Sequence, residues 1–325
     1  MVNQGNARFF YSVCSGYNYY TVEERSINVL GSDRCIIRHF KTGEEYCYID
    51  IAENRNYIDH WIKMIRHNVD SIKISWPVDV IEHDEKYALV FPFENIPRNL
   101  KPLKTLFTGK VIGDSITWGK AHFELMSDFM NAMIALDEAG YAYYGLSDDH
   151  CIYFNDKNKI FIGFTRYITW SDHAFAVDVH GIDHQYADPF FYTEDSKGRM
   201  DLLSMYHTVS VFLFRLLIGK LPFDGHIMAA IPDRGEYEWI NYYHKNSIYF
   251  IFGDDADEEG ANLIGEMADE EEYINRWQTL SPEIRDYFSR VFQHKNVMRE
   301  CTPFYVTPQQ WKQILTPWFK QYKED

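Results

Sequence analysis

The chain has 325 residues, 46% of them apolar and 17% aromatic, which is enough to bury a sizeable core and excludes a disordered chain. Lys and Arg number 32 against 48 Asp and Glu, a formal net charge of −16. A surface of that sign repels phosphate backbones and anionic lipid, so no nucleic acid and no membrane is expected as a partner. The longest apolar run, Val209 to Ile218, is interrupted by Arg215 and falls short of the roughly 18 residues of a membrane span.

Residues Met1 to Arg8 lack a charged start followed by an apolar core, so no signal peptide is expected. Phe9 to Val13 and Cys35 to Phe40 are rich in β-branched and aromatic residues and read as strands, with Gly16, Gly31 and Gly43 as turn punctuation. Ile58, Trp61, Ile62 and Ile65 recur at helical spacing and predict an amphipathic helix. Two more strands follow, Val78 to Ile81 and Tyr87 to Phe91, joined by the polar turn Asp84-Glu85-Lys86. Pro92, Pro97 and Pro102 then deny regular helix or central strand and mark a connector between two bodies.

Beyond the connector the pattern turns helical. Phe123, Met126, Phe129, Met130 and Met133 mark one apolar face ending near Gly140. Cys151 to Phe154 and Lys159 to Ile162, joined by Asn155-Asp156-Lys157-Asn158, predict a hairpin. Leu202 to Leu217 is apolar on every side and reads as an interior helix. From about 225 to 280 comes a polar region with acidic clusters at Asp254 to Glu259 and Asp269 to Glu272, read as solvated faces or an interaction tail. Helices return around Ile284 to Phe292 and Gln309 to Phe319. The five cysteines, Cys14, Cys35, Cys47, Cys151 and Cys301, are odd in number and widely spaced, which predicts buried reduced thiols and a cytoplasmic location.

Several of these segments, taken in order, resemble a protein kinase. Ala139 to Phe154 is similar to the catalytic loop and its following strand, and Lys159 to Thr165 to the strand that delivers the D-F-G segment. Tyr186-Ala187-Asp188-Pro189-Phe190 resembles the A-P-E segment. Asp201-Leu202-Leu203-Ser204 resembles the D-x-x-S start of a buried helix, and Leu216 to Gly225 its L-L-x-G-x-x-P-F-x-G exit. Ile74 to Val80, Leu280 to Phe288 and Thr307 to Trp311 look like a bacterial kinase-like branch. Members of that branch often travel with a metal-dependent (PP2C-type) phosphatase and a von Willebrand A-type protein. The resemblance implies an α+β, two-lobed fold: a β-rich small lobe over 1–93, a hinge over 94–106, and a helical lobe over 107–325 carrying the acidic insertion.

Phosphoryl transfer is mostly positioning and charge neutralisation. In register with the resemblance, the catalytic Asp position holds Gly145, the Asn position His150 and the D-F-G Asp position Gly163. Glycine offers no group to steer a hydroxyl or bind magnesium. The strand lysine position falls on Arg38, Gly16 alone remains in the glycine loop, and Glu53 is the acid nearest to pairing Arg38. Phe91 and Phe93 flank the hinge. The resemblance further equates the A-P-E Glu and its late Arg with Phe190 and Tyr305, a paired loss that leaves no buried charge alone, while Asp201 is kept as scaffolding. These positions imply a pseudokinase with no catalytic residue, no metal and no required cofactor, acting on a protein partner such as a phosphatase, a von Willebrand A-type protein or an active kinase. Two alternatives stay open: ATP binding without magnesium-dependent turnover, and a divergent active Ser/Thr kinase using Asp148 or Asp149, which otherwise belong to a solvated turn. Asp178, His180, Asp183 and His184 carry metal-ligating types, against a plain polar segment.

Overall fold

A computed structural model describes residues 8–29, 32–51, 58–69, 74–83, 86–93, 100–108, 120–147, 152–155, 159–163, 168–171, 175–176, 182–229, 240, 249–253, 262, 264 and 270–320. The chain divides into two compact units, Met1–Pro102 with Asp149–Phe164, and Leu103–Asp148 with Thr165–Asp325. The break at Pro102 falls inside the expected connector. The segment around the hairpin groups with the first unit, not with the helical body to which the sequence assigned it.

In the first unit, β1 (Phe9–Ser12), β2 (Asn18–Val29), β3 (Ser32–His39), β4 (Glu45–Ile51), β5 (Asp79–His83) and β6 (Lys86–Pro92) form a closed antiparallel barrel in the order β1-β2-β3-β4-β6-β5. Closure comes from β1, which pairs Phe10 with Tyr19 of β2 and Ser12 with Ile81 of β5. Alternation along β1 follows the pleat: Phe10 is buried while Phe9 and Tyr11 face out. Phe10, Tyr19, Ile37, Tyr48, Ile81, Ala88 and Val90 form one buried cluster, each large side chain contributing about 1.5–3 kcal/mol of burial. The helix α1 (Ile58–Arg66) buries Ile58, Trp61 and Met64, and Trp76 Nε1 donates to the Met64 carbonyl at 3.3 Å.

A second sheet of this unit, ordered β10-β9-β7, joins β7 (Lys101–Pro102), β9 (Ile152–Phe154) and β10 (Ile160–Ile162). The expected hairpin is there, with Phe154 opposite Ile160. Pro102 sits in β7 at the sheet edge, the place where a missing N–H does no harm, so the connector carries a short strand. The sequence reading did not single out β4; its Tyr46-Cys47-Tyr48-Ile49 core is a β pattern.

The second unit is built on helices, the α2 (Thr105–Thr108) turn and α3 (Lys120–Glu138) coming first. A strand pair, β8 (Tyr141–Tyr143) with β11 (Ile168–Trp170), follows α3, and β12 (Phe175–Ala176) pairs with β13 (Arg199–Met200). At its centre lies α4 (Leu202–Ile218), with buried residues on every side, as an all-round apolar helix requires. Its buried hydroxyls bond back along the helix, Thr208 to the Ser204 carbonyl at 2.9 Å and Ser210 to the Tyr206 carbonyl at 2.8 Å. After α5 (His226–Ala229) come α6 (Glu271–Thr279), α7 (Pro282–Phe292), α8 (His294–Val297) and α9 (Pro308–Lys320). Phe214 of α4 meets Phe250, Trp277, Phe288 and Phe292 in one aromatic core. Trp311 of α9 donates Nε1 to Ser210 Oγ at 2.9 Å.

The exit of α4 explains two glycines. Gly219 caps the helix at φ +90°, and a Cβ there would meet Arg276 Nη1 at 2.8 Å. At Gly225 a Cβ would lie 2.1 Å from the Asn262 carbonyl oxygen, closer than any side chain allows. Asn262 answers that approach with Nδ2 bonds to the Phe223 carbonyl at 2.7 Å and the Tyr249 carbonyl at 3.1 Å. The acidic region therefore lends residues to the core. Glu270, expected on a solvated face, is buried and pairs with Lys220 at 3.4 Å; Asp254 to Glu259 lie outside the described residues. Buried thiols are found at Cys47 only: Cys14 is half-buried, Cys35 and Cys301 are exposed, none of these four forms a disulfide, and Cys151 is not described.

Candidate functional site

Asp201 closes the N-terminus of α4 in a capping box, accepting from the Ser204 amide at 3.1 Å while Ser204 Oγ accepts from the Asp201 amide at 3.4 Å. Arg299 then reaches Asp201 with both ends of its fork, Nη1 to Oδ2 at 2.6 Å and Nη2 to Oδ1 at 2.9 Å. The same Nη2 lies 2.7 Å from Asp188 Oδ2, which also accepts from Ser204 Oγ at 2.9 Å. Phe190 stacks on the guanidinium, whose carbon stands 4.1 Å from the ring centre. Arg299 adopts φ +55° to do this, a left-handed conformation costing about 1–2 kcal/mol that charge-assisted hydrogen bonds offset. Burial alone would lower the Arg299 pKa, yet its bonds to Asp201 and the charge of Asp188 raise it. Burial would likewise raise Asp201, and the Arg299 contacts bring it below the usual carboxylate value.

Phe190 and Tyr305, the positions read as a paired loss of charge, stand beside this network and not in it. A buried ion pair is present, carried by Asp188 and Arg299. Phe190 covers it, and Tyr305 stacks on Tyr206 at 5.5 Å instead. Beside the network is a cavity of about 30 Å³ lined by Asp188, Tyr206, His207, Ser210, Asn296 and Arg299, room for about one water. Burial lowers the pKa of His207, with Asp188 opposing and Arg299 adding to the shift, and its Nε2 has no hydrogen-bond partner among the described residues. This network is a fastening.

The first unit keeps its buried charges apart. Asp79 is fully enclosed and accepts from Ser12 Oγ at 2.7 Å, Ser15 Oγ at 2.7 Å, Tyr19 OH at 3.0 Å and the Val80 amide at 2.8 Å. Burial, then the charge of Asp79, push the Tyr19 hydroxyl far up, so it stays a donor. Arg34 of β3 is 2% exposed. Its Nη1 reaches Cys47 Sγ at 3.9 Å, and its carbon sits 4.7 Å over the Phe91 ring. Burial raises the Cys47 thiol against the pull of Arg34, so the sulfur stays neutral.

The residues singled out by sequence fall in both units. Gly145 lies in the second unit within the buried stretch Tyr144 to Ser147, where Ser147 Oγ donates to Asp183 Oδ2 at 2.9 Å. Gly163 follows β10 in the first unit and is also buried. Gly16 turns between β1 and β2 at φ +68°. Arg38 lies on β3, with β4 intervening before α1, and both its Nε and Nη2 go to Glu45 Oε1, at 3.2 and 2.7 Å. The strand just before the helix is thus Glu45–Ile51 and holds no lysine or arginine. Phe91 is buried on β6, and Phe93 is half-buried with its amide 3.3 Å from the Glu45 carbonyl. Glu53, His150, Asp148, Asp149, Asp178 and His180 lie outside the described residues. His184 bonds Tyr192 OH, and no group of three metal-ligating side chains occurs among the described residues.

Arg299 and Asp79 were missed because nothing beside them in the chain marks them. Arg34 was missed because it follows the polar Gly31-Ser32-Asp33 and reads as the edge of a turn before the apolar run Cys35-Ile36-Ile37. No described helix is long and apolar enough to cross a membrane. No protein-family model matches this chain, and no curated protein matches it.

Proposed function

We propose that this chain is a kinase-like protein without phosphoryl transfer that works by holding a protein partner. The reading rests on Gly145 and Gly163, which stand where the resemblance requires carboxylates. Arg38, the expected phosphate cation, is engaged by Glu45, which speaks against a role on a nucleotide. The order of elements fits as well: strands around one helix, a Pro-rich connector, then helices about a buried α4 entered by Asp201 and left through Gly219.

A holding role is supported by the outer face of the barrel. Phe9 is 59% exposed, Tyr11 69% and Phe40 61%, with Val13 and Tyr17 also exposed. Phe9 pairs across the strands with Tyr20, whose ring lies 6.4 Å from that of Phe40, so aromatic surface runs over β1, β2 and the end of β3. Exposed apolar groups gathered in this way mark interaction surfaces. The partner classes, a PP2C-type phosphatase, a von Willebrand A-type protein or an active kinase, come from the resemblance.

Incubation with ATP and Mg²⁺ or Mn²⁺ is expected to give neither phosphate release nor autophosphorylation. Metal-dependent turnover lost in Asp149→Ala would overturn the reading. Against such a partner, the Tyr11→Ser, Phe40→Ser double variant is expected to bind at least about tenfold more weakly, since two aromatic anchors each contribute more than 1 kcal/mol at typical interfaces.

A further inference from the structure

No acid answers the charge of Arg34 among the described residues. Among the described residues its hydrogen bonding is a single long contact from Nη1 to a neutral thiol, Cys47 Sγ at 3.9 Å. Its Nε is sealed from solvent without a partner. The Phe91 face 4.7 Å away attracts the cation, but an aromatic ring supplies a fraction of what a carboxylate does. No salt bridge to Arg34 occurs among the described residues, in contrast to Arg299 with its two acids. A guanidinium stays protonated even when buried, so the protein cannot relieve the charge by releasing a proton. Burial of an uncompensated ion is costly, so Arg34 detracts from the stability of the barrel wall.

We propose that Arg34 is the anchor of a binding site for a small oxyanion, a phosphate or carboxylate group, held by the guanidinium. The planar fork matches such groups, and Phe91 holds the plane in place from one face. Tyr153 of β9 lies near enough to act on the Arg34 charge. This site does not depend on the scaffold reading, because it requires binding and no turnover.

The test is thermal unfolding of the whole chain in increasing inorganic phosphate or citrate, with chloride held to equal ionic strength and no divalent metal. Wild type is expected to gain a saturable rise in midpoint on the order of 3–5 °C at a hundredfold excess over half-saturation. Arg34→Met is expected to melt higher than wild type without anion and to gain nothing from it. Phosphate acting alone assigns a phosphoryl group, and citrate acting alone a carboxylate. Equal rises in wild type and Arg34→Met, the mark of excluded salts, overturn the proposal, as does no rise in wild type. Should Arg34→Met fail to fold, Arg34→Lys decides: it keeps the charge and loses the fork, so affinity is expected to fall at least tenfold, and unchanged affinity overturns the site.

Discussion

The two units bury ions by opposite rules. In the helical unit Arg299 meets Asp188 and Asp201 at 2.7 and 2.6 Å, and Ser204 occupies a remaining acceptor. In the barrel, among the described residues, Asp79 is held by hydroxyls and an amide without a cation, and Arg34 by a thiol and a ring without an anion. A closed network is a stability device; separated charges are available to something else. The exposed large apolar side chains divide the same way: among the described residues, Tyr305 is the one that belongs to the helical unit.

The largest effect expected from this contrast is at Arg299. Arg299→Met strands the Asp188 carboxylate, 4% exposed, and should cost about 3–5 kcal/mol in urea unfolding. Asp201 is 41% exposed and adds little to that. A cost below about 1 kcal/mol would show that the two units do not differ as described. Next comes Tyr19→Phe, which removes one donor from enclosed Asp79 and should cost about 1.5–3 kcal/mol, read from a probe in the barrel. A smaller effect is expected from His207. Its pKa is depressed by burial, so the unfolded chain takes up a proton near pH 6.5 while the folded one does not. The unfolded state then binds more protons, and stability is full above that pH and falls below it, by at most about 1.4 kcal/mol per pH unit. His122, depressed by burial and by Arg276, adds a slope of the same sign. His207→Gln should therefore make the decline between pH 6.5 and 5 shallower, and an unchanged slope would remove His207 as its source.

What could be read in the chain was whatever its neighbours announce. The helix α4 is framed by Asp201 and Gly219, a cap and a stop a few residues from the run they bound. The hairpin at 152–162 and α1 rest on equally local patterns. Barrel closure was not legible, because β1 finds β5 across the length of the unit and a strand's outer face looks alike whether the sheet is open or shut. The Arg299 network was misread for the same reason. Its acids stand 111 and 98 residues away, and the local resemblance pointed to Phe190 and Tyr305, beside the charges rather than on them. The strand between Arg38 and α1 was not singled out because β4 has no loud signature.

One consequence of β1 remains. The strand pairs with β2 through Phe9, Phe10 and Tyr11 and with β5 through Tyr11 and Ser12, so at Tyr11 both main-chain edges are taken and no added strand can pair there. A partner of the kind proposed would meet side chains standing off this wall, which ties such docking to the identity of Phe9, Tyr11 and Phe40 rather than to main-chain complementarity.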